Sequence, residues 1–441
     1  MWTMATDLSR PVIALAVAIA AATIPTTAFA LCGDVSGDGR ITAIDALTAL
    51  RESVASRYDP LADVATSEPP DGKLTAADAL VVLAHAVART IPVCAAAEDT
   101  RVIVTTASCD FVTGGVAEVD LESRTVVRHR AGAADADAVV RRYDGRLFVL
   151  NRFGANTVAE LDPSGLATLW ECSVGGGANP HDIALVANDR GYVTRYDSRQ
   201  LAIIDPSAGP GGCDGFLRGT IDLSAQADGD GFPEMDQMVV VGDRLFVALQ
   251  RLDRNSFFRP AANGALAVID VPTEQVVGTI ELAISNPFAE TKGLVYDART
   301  ERIYVAGPGR LFTDLTDGGI ERVNPFTLAS EGVIATGADV GGDLTDLVLV
   351  GTARAYALVA GKSFAVSVVE LDLQRRAPVA VLASSDQLLS DIEMSETGEL
   401  WLADRNCFNP GLRVFSIADN RELTETPISA VLGPFNLAFF P

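Results

Sequence analysis

The chain has 441 residues, with 58 Asp and Glu against 34 Lys and Arg, and a formal net charge of -24 at pH 7. That length exceeds what one hydrophobic core usually organises, so it implies several units or a repeat architecture. The charge excludes nucleic acid and anionic membrane surfaces as partners, since both demand basic patches, and it suits calcium, which takes oxygen ligands.

Residues 1–30 read as a secretory signal: Arg10, an apolar run from Pro11 to Ile24, then Ala28-Phe29-Ala30 as a small-x-small cleavage site. The run is shorter than the ~20 residues of a bilayer span, and no later run is long enough to cross. The mature chain is therefore expected to be secreted or at the cell surface. Leu31 before Cys32 does not fit a lipoprotein signal, which leaves Cys32 as a disulfide candidate.

Residues 31–95 contain a duplication. Asp38-Gly39-Arg40-Ile41-Thr42-Ala43-Ile44-Asp45-Ala46-Leu47 aligns with Asp71-Gly72-Lys73-Leu74-Thr75-Ala76-Ala77-Asp78-Ala79-Leu80. Apolar residues at helical spacing follow each copy, Leu47, Leu50 and Val54 in one and Leu80, Leu83 and Val87 in the other. The unit is loop, helix, linker, loop, helix.

After a linker at 96–99, residues 100–441 change to short β-rich runs separated by Gly, Asp, Asn and Pro. One strand recurs in seven copies: RVIVTT from Arg101, RLFVLN from Arg146, RGYVTR from Arg190, RLFVAL from Arg244, RIYVAG from Arg302, RAYALV from Arg354 and ELWLAD from Glu399. A second strand follows each and runs into Asp120, Asp162, Asp205, Asp270, Asn324, Asp372 or Asp419, whose side chains suit a turn. A third strand precedes copies two to seven, and copy one finds its equivalent only at the C-terminus, in Phe435–Phe440. The pattern predicts an all-β, seven-bladed β-propeller closed by its last strand, so that no edge is left unpaired.

The duplicated segment resembles a dockerin module, the family of paired calcium loop-helix units that plug extracellular proteins into cohesin partners. On that resemblance Asp34, Ser36 and Asp38, the Arg40 carbonyl and Asp45 ligate calcium in the first loop, around the turn at Gly39. In the second loop, counting back from Asp78 puts Ser67 at position one and Pro69, which has no side-chain oxygen, at position three. Either this site is weakened, or a four-residue insertion lets Asp63 take the first position while Asp71, the Lys73 carbonyl and Asp78 keep theirs. Where the family carries hydroxyls for cohesin recognition, this chain has Ala43-Ile44 and Ala76-Ala77. Residues 100–441 resemble bacterial surface propellers built on Tyr-Val-Thr-Asn strands, best at Tyr192-Val193-Thr194, a group that includes binding proteins and lactonase-like enzymes.

Six cysteines in an exported chain suggest three disulfides. Cys32 and Cys94 bracket the dockerin-like module, whose roughly 65 residues would benefit from a staple. Cys109 and Cys407 follow the recurrent strand in copies one and seven, which ring closure makes neighbours, leaving Cys172 with Cys213.

Aligning the inner strands puts Asp137, Asp182, Asp236, Lys292, Asp346, Asp391 and Asn436 in one column. In a propeller such a column rings the central channel, and so many carboxylates repel unless a calcium ion or basic ligand sits among them, or unless each Asp caps the backbone of the next blade. His181 is the one histidine placed for acid-base chemistry, with His85 in the dockerin-like helix and His129 on an outer strand. No G-x-S-x-G elbow or HExxH helix occurs, and the Gly175–Gly177 run leads into no helix that could hold phosphate. Asp228-Gly229-Asp230-Gly231 has no closing acid at calcium-loop spacing and reads as a loop. Arg251, Arg254, Phe257, Phe258 and Arg259 form a basic and aromatic insertion in copy four, suited to contacting a protein or carbohydrate ligand or to packing under its own blade.

Two functions are compatible with these features. One is a binding protein whose propeller is a recognition platform, attached through a dockerin-like module to a cohesin-type partner or the cell surface. The other is a lactonase-like or polysaccharide-degrading enzyme working through the carboxylate ring and a metal.

Overall fold

The computed structural model describes residues 43–54, 79–84, 99–289, 291–361, 365–386 and 388–441. Within the duplicated segment, Ala43–Val54 and residues 79–84 are helical, as the apolar spacing requires. Asp45 falls in the first turn of the former helix. Asp34, Ser36, Asp38, Arg40, Asp63, Asp71, Lys73, Asp78, Cys32, Cys94 and His85 lie outside the described residues. Among the described residues no helix is long and apolar enough to cross a membrane.

Among the described residues from Arg101 onward, seven antiparallel sheets are set around a ring, and a separate two-stranded hairpin pairs Leu252–Asp253 with Arg259–Pro260. The inner strands of blades 1 to 7 are Gly433–Phe440, Ala138–Tyr143, Pro180–Ala187, Met235–Val241, Leu294–Asp297, Asp343–Val350 and Leu389–Met394. Six blades have four strands; blade 7 has three, its outer edge meeting the chain at the Leu412–Ile428 and Phe415–Glu422 bridges. Pro427 sits beside the Leu412–Ile428 bridge at this sheet edge, where Ile428 exchanges both hydrogen bonds with Leu412 and a missing N–H at 427 removes no ladder bond.

The recurrent strand is second in each blade, flanked by strands on both sides and by neighbouring blades on both faces. That is why RLFVLN is buried at every position and shows no polar alternation. Outer strands meet water on one face and alternate: in Thr168–Ser173 only Trp170 and Cys172 are buried. All seven turn residues after the third strand work as expected, each accepting a backbone N–H two or three residues on, from Asp120 with Ser123 to Asp419 with Arg421.

The core is divided into seven apolar clusters, one per blade-to-blade interface. The closing cluster packs Trp401, Leu412 and Val414 of blade 7 against Val102, Val104, Leu437 and Phe439 of blade 1. Blade 1 is completed by the chain's two ends, Arg101 pairing Phe440 and Thr105 pairing Asn436.

Both cysteine pairs assigned within the propeller are bonded, Cys109 with Cys407 across the closure and Cys172 with Cys213 between blades 2 and 3. The first spans 298 residues. Replacing Cys109 and Cys407 by Ser is expected to cost about 2–4 kcal/mol through the regained freedom of the unfolded chain. The check is a urea midpoint; an unchanged one would show that packing alone closes the ring.

Candidate functional site

The inner-strand column does converge on the channel, but its members do unequal work. Four of them tie blades together. Asn436 Oδ1 accepts from the Val140 N–H of blade 2 at 2.7 Å, and Asp182 Oδ2 from the Met238 N–H of blade 4 at 2.8 Å. Asp346 Oδ2 accepts from the Ile392 N–H of blade 7 at 3.1 Å, and Asp391 Oδ2 from the Leu437 N–H of blade 1 at 2.6 Å.

The other three depart from this rule. Lys292 offers its carbonyl, not its side chain, to the Leu347 N–H at 3.1 Å. In blade 4 the tie passes mainly to Gln237, whose Oε1 accepts the Gly293 and Leu294 N–H groups at 2.5 and 3.1 Å. Asp236 turns instead to His181, with Oδ1 2.9 Å from Nδ1, and His181 stacks on Tyr196. Asp137 stands apart, more exposed and paired with Arg152.

The positive charge that the ring demands comes from the chain itself. The Arg141 guanidinium donates to Asp182 Oδ1 at 2.7 Å, to Asn436 Oδ1 at 3.2 Å and to the Thr291 carbonyl at 3.0 Å, so it spans blades 1, 3 and 5. Lys292 Nζ meets Glu393 Oε1 at 2.9 Å, joining blades 5 and 7. The Thr291 hydroxyl lies 2.9 Å from Asp346 Oδ2 and 2.6 Å from Asp391 Oδ1. Among the described residues no three His, Cys, Asp or Glu side chains converge as a metal site.

Asp346 and Asp391 are fully buried. Burial, then the facing Asp391, holds the Asp346 carboxyl well above the usual carboxylate range. Burial and the charge of Glu393 push Asp391 up to about 6. Both folded-state values lie above the unfolded one, so this pair favours folding most below about pH 4 and loses that contribution as pH rises through about 6. Asp391→Asn keeps an acceptor for the Leu437 N–H and presents a donor to Thr291. The expected outcome is a flatter fall of the urea midpoint between pH 4 and 6.5; an unaltered slope would contradict the assignment.

One mouth of the channel opens into a cavity of about 600 Å³ lined by Arg141, Arg142, Lys292, Tyr296, Glu393 and Phe439. The charged groups there are already matched, Arg142 by Asp99 and Arg141 by Asp182.

The opposite face carries the loops that follow each second strand. Phe111, Phe153, Phe257 and Phe408 lie on these loops in blades 1, 2, 4 and 7, with 51, 78, 93 and 90% of their surface exposed. Blades 7, 1 and 2 are neighbours, so three of these rings share one sector.

The blade 4 insertion divides in two. Arg251 is buried and bonds Glu281 Oε2 and Oε1 at 2.5 and 3.0 Å. Arg254 bonds Glu234 and Asp197 at 2.6 and 2.7 Å and covers Phe232. Burial pushes the Glu234 carboxyl up to about 7 despite Arg254. These two arginines are pins, whereas Phe257, Phe258 and Arg259 face water. Asp228 and Asp230 form turns, accepting the Asp230 and Phe232 N–H groups, in keeping with a loop. His129 lies on the outer strand Thr125–Ala131, with Nε2 3.3 Å from the Thr106 hydroxyl.

No protein-family model matches the chain, and no curated protein matches it. Solved structures do. A candidate 6-phosphogluconolactonase from Bacteroides fragilis superposes with a TM-score of 0.54 at 10% identity, covering 78% of this chain and 99% of that one. A dihydro-heme d1 dehydrogenase gives 0.49 at 16% identity over 77% and 75%. Apo AztD from Citrobacter koseri gives 0.46 at 12% identity over 76% and 96%. At such identity the likeness to the first carries the fold alone: this is a seven-bladed propeller with the architecture of that structure.

Proposed function

We propose that the chain is an exported recognition protein whose propeller binds a ligand on the loop face bearing Phe111, Phe153, Phe257 and Phe408. The observation that carries this reading is the contrast between the two ends of the channel. Four of the five described aromatics with half or more of their surface exposed, Phe111, Phe153, Phe257 and Phe408, lie on one face, with Phe326 alone at the other end, and exposed apolar surface marks interaction sites. Asp182, Asp346 and Asp391 are engaged by backbone N–H groups, Asp182 also by Arg141, and Asp346 and Asp391 expose no surface to a substrate.

In this reading the dockerin-like segment attaches the propeller to a cohesin-type partner or the cell surface, with calcium held by Asp34, Ser36, Asp38, the Arg40 carbonyl and Asp45. The second loop, with Asp63, Asp71, the Lys73 carbonyl and Asp78, is a weakened site. The test is calcium titration calorimetry on the mature chain. Asp34→Ala with Asp38→Ala is expected to remove the heat of binding, while Asp137→Asn with Asp182→Asn leaves it intact. Loss on the second pair instead would make the channel a metal site and favour an enzyme working through the ring.

A further inference from the structure

On the loop face, the blade 4 insertion and the first long loop of blade 5 enclose a cleft of about 650 Å³. One wall is a short hairpin, Leu252–Asp253 paired with Arg259–Pro260, anchored at its base by the Arg251 ion pair and in its turn by that of Arg254. Its tip holds Phe257 and Phe258, and the opposite wall holds Arg310 and Leu311.

The floor carries a polar group without its match. Asn286 is only 6% exposed, and its amide Nδ2 donates to the Gly309 carbonyl at 3.2 Å, which fixes which way the amide points. Oδ1 is then left buried with no hydrogen-bond partner among the described residues. A buried acceptor in that condition costs roughly 1–3 kcal/mol until a donor reaches it.

The rim adds charge. Arg259 is exposed and forms no ion pair among the described residues, and Arg310 is exposed and loosely paired, its Nε 3.8 Å from Asp317 Oδ2. On a chain of net charge -24, the rim of this cleft carries one guanidinium group without an ion pair among the described residues and one held only at 3.8 Å.

We propose that this cleft binds an acidic saccharide through a uronic-acid unit, a reading that rests on the propeller being a recognition platform. The ring carboxylate meets Arg259 and Arg310, a ring hydroxyl donates to Asn286 Oδ1, and the C–H face lies on Phe257 and Phe258. A uronate supplies anion, donor and flat apolar face on one six-membered ring. An acidic peptide carries its carboxylates on flexible stems without an attached donor or a flat face.

The test is calorimetry on the mature chain with three probes: trigalacturonate, neutral galactotriose and hexaglutamate. Trigalacturonate is expected to bind, with affinity at least tenfold lower in Arg259→Gln/Arg310→Gln and in Phe257→Ala/Phe258→Ala, and galactotriose is expected not to. Equal binding of galactotriose overturns the role of the arginines. Binding of hexaglutamate in place of trigalacturonate assigns the cleft to an acidic protein and overturns the proposal, as does binding by none of the three. The platform reading fails by a different result: release of new reducing ends from trigalacturonate that Asp182→Asn abolishes.

Discussion

Removing residues 433–441 is expected to abolish the cooperative unfolding transition of the mature chain. The deleted segment is the inner strand of blade 1, and Phe435, Leu437, Phe439 and Phe440 in it are all buried. At about 1.5–3 kcal/mol for each buried side chain, the loss is roughly 6–12 kcal/mol. A whole domain is stable by only about 5–15 kcal/mol. The deletion also strips Asn436 from Val140 and the Leu437 N–H from Asp391, so both neighbours of blade 1 lose their channel-side tie. Urea unfolding followed by Trp fluorescence is the check, since Trp401 sits in the closing interface edge-on to Phe439. A sigmoidal transition at the full-length midpoint would mean that the ring does not depend on closure.

The second large effect is expected at Arg146. Its guanidinium grips Glu160 with two bonds of 2.8 and 2.7 Å, both side chains are 5% exposed, and the Trp170 indole N–H donates to the same carboxylate at 2.7 Å. Arg146→Met leaves a buried carboxylate without its countercharge, which costs about 3–5 kcal/mol. Replacing both partners, as Arg146→Met/Glu160→Gln, should restore most of that, because the penalty belongs to the unpaired charge. A single variant within about 1 kcal/mol of the parent would instead mean that Glu160 is neutralised by other means.

The blades were legible because the strand at their centre is buried on both faces and so recurs as an unbroken apolar run. Closure was legible for a similar reason: copy one lacks the strand that the C-terminus holds in surplus. The turn carboxylates and both propeller disulfides followed from position in the repeat. The electrostatics of the channel were harder to read. The inner-strand column suggested an unbalanced ring, and Arg141, which pairs with Asp182, sits off that column. Four residues after the column position, six strands carry Val, Tyr, Ser or Phe, and only blade 2 carries a charge, Arg141. Two residues after it, only Glu393 is charged. Both signals were present, but neither shows which way a side chain reaches across a ring. Asn286 and Arg310 of the cleft belong to loops that follow no repeat, and only the fold brings them beside Phe257 and Phe258.

The account places binding on the loops and leaves the channel as an internal fastener, which hydrogen exchange of the mature chain can test with and without saturating trigalacturonate. The expected result is slowed exchange in residues 250–264 and 307–318, with the inner strands unchanged. Slowing confined to the inner strands Ala138–Tyr143, Leu389–Met394 and Gly433–Phe440 would place the ligand in the channel and contradict it.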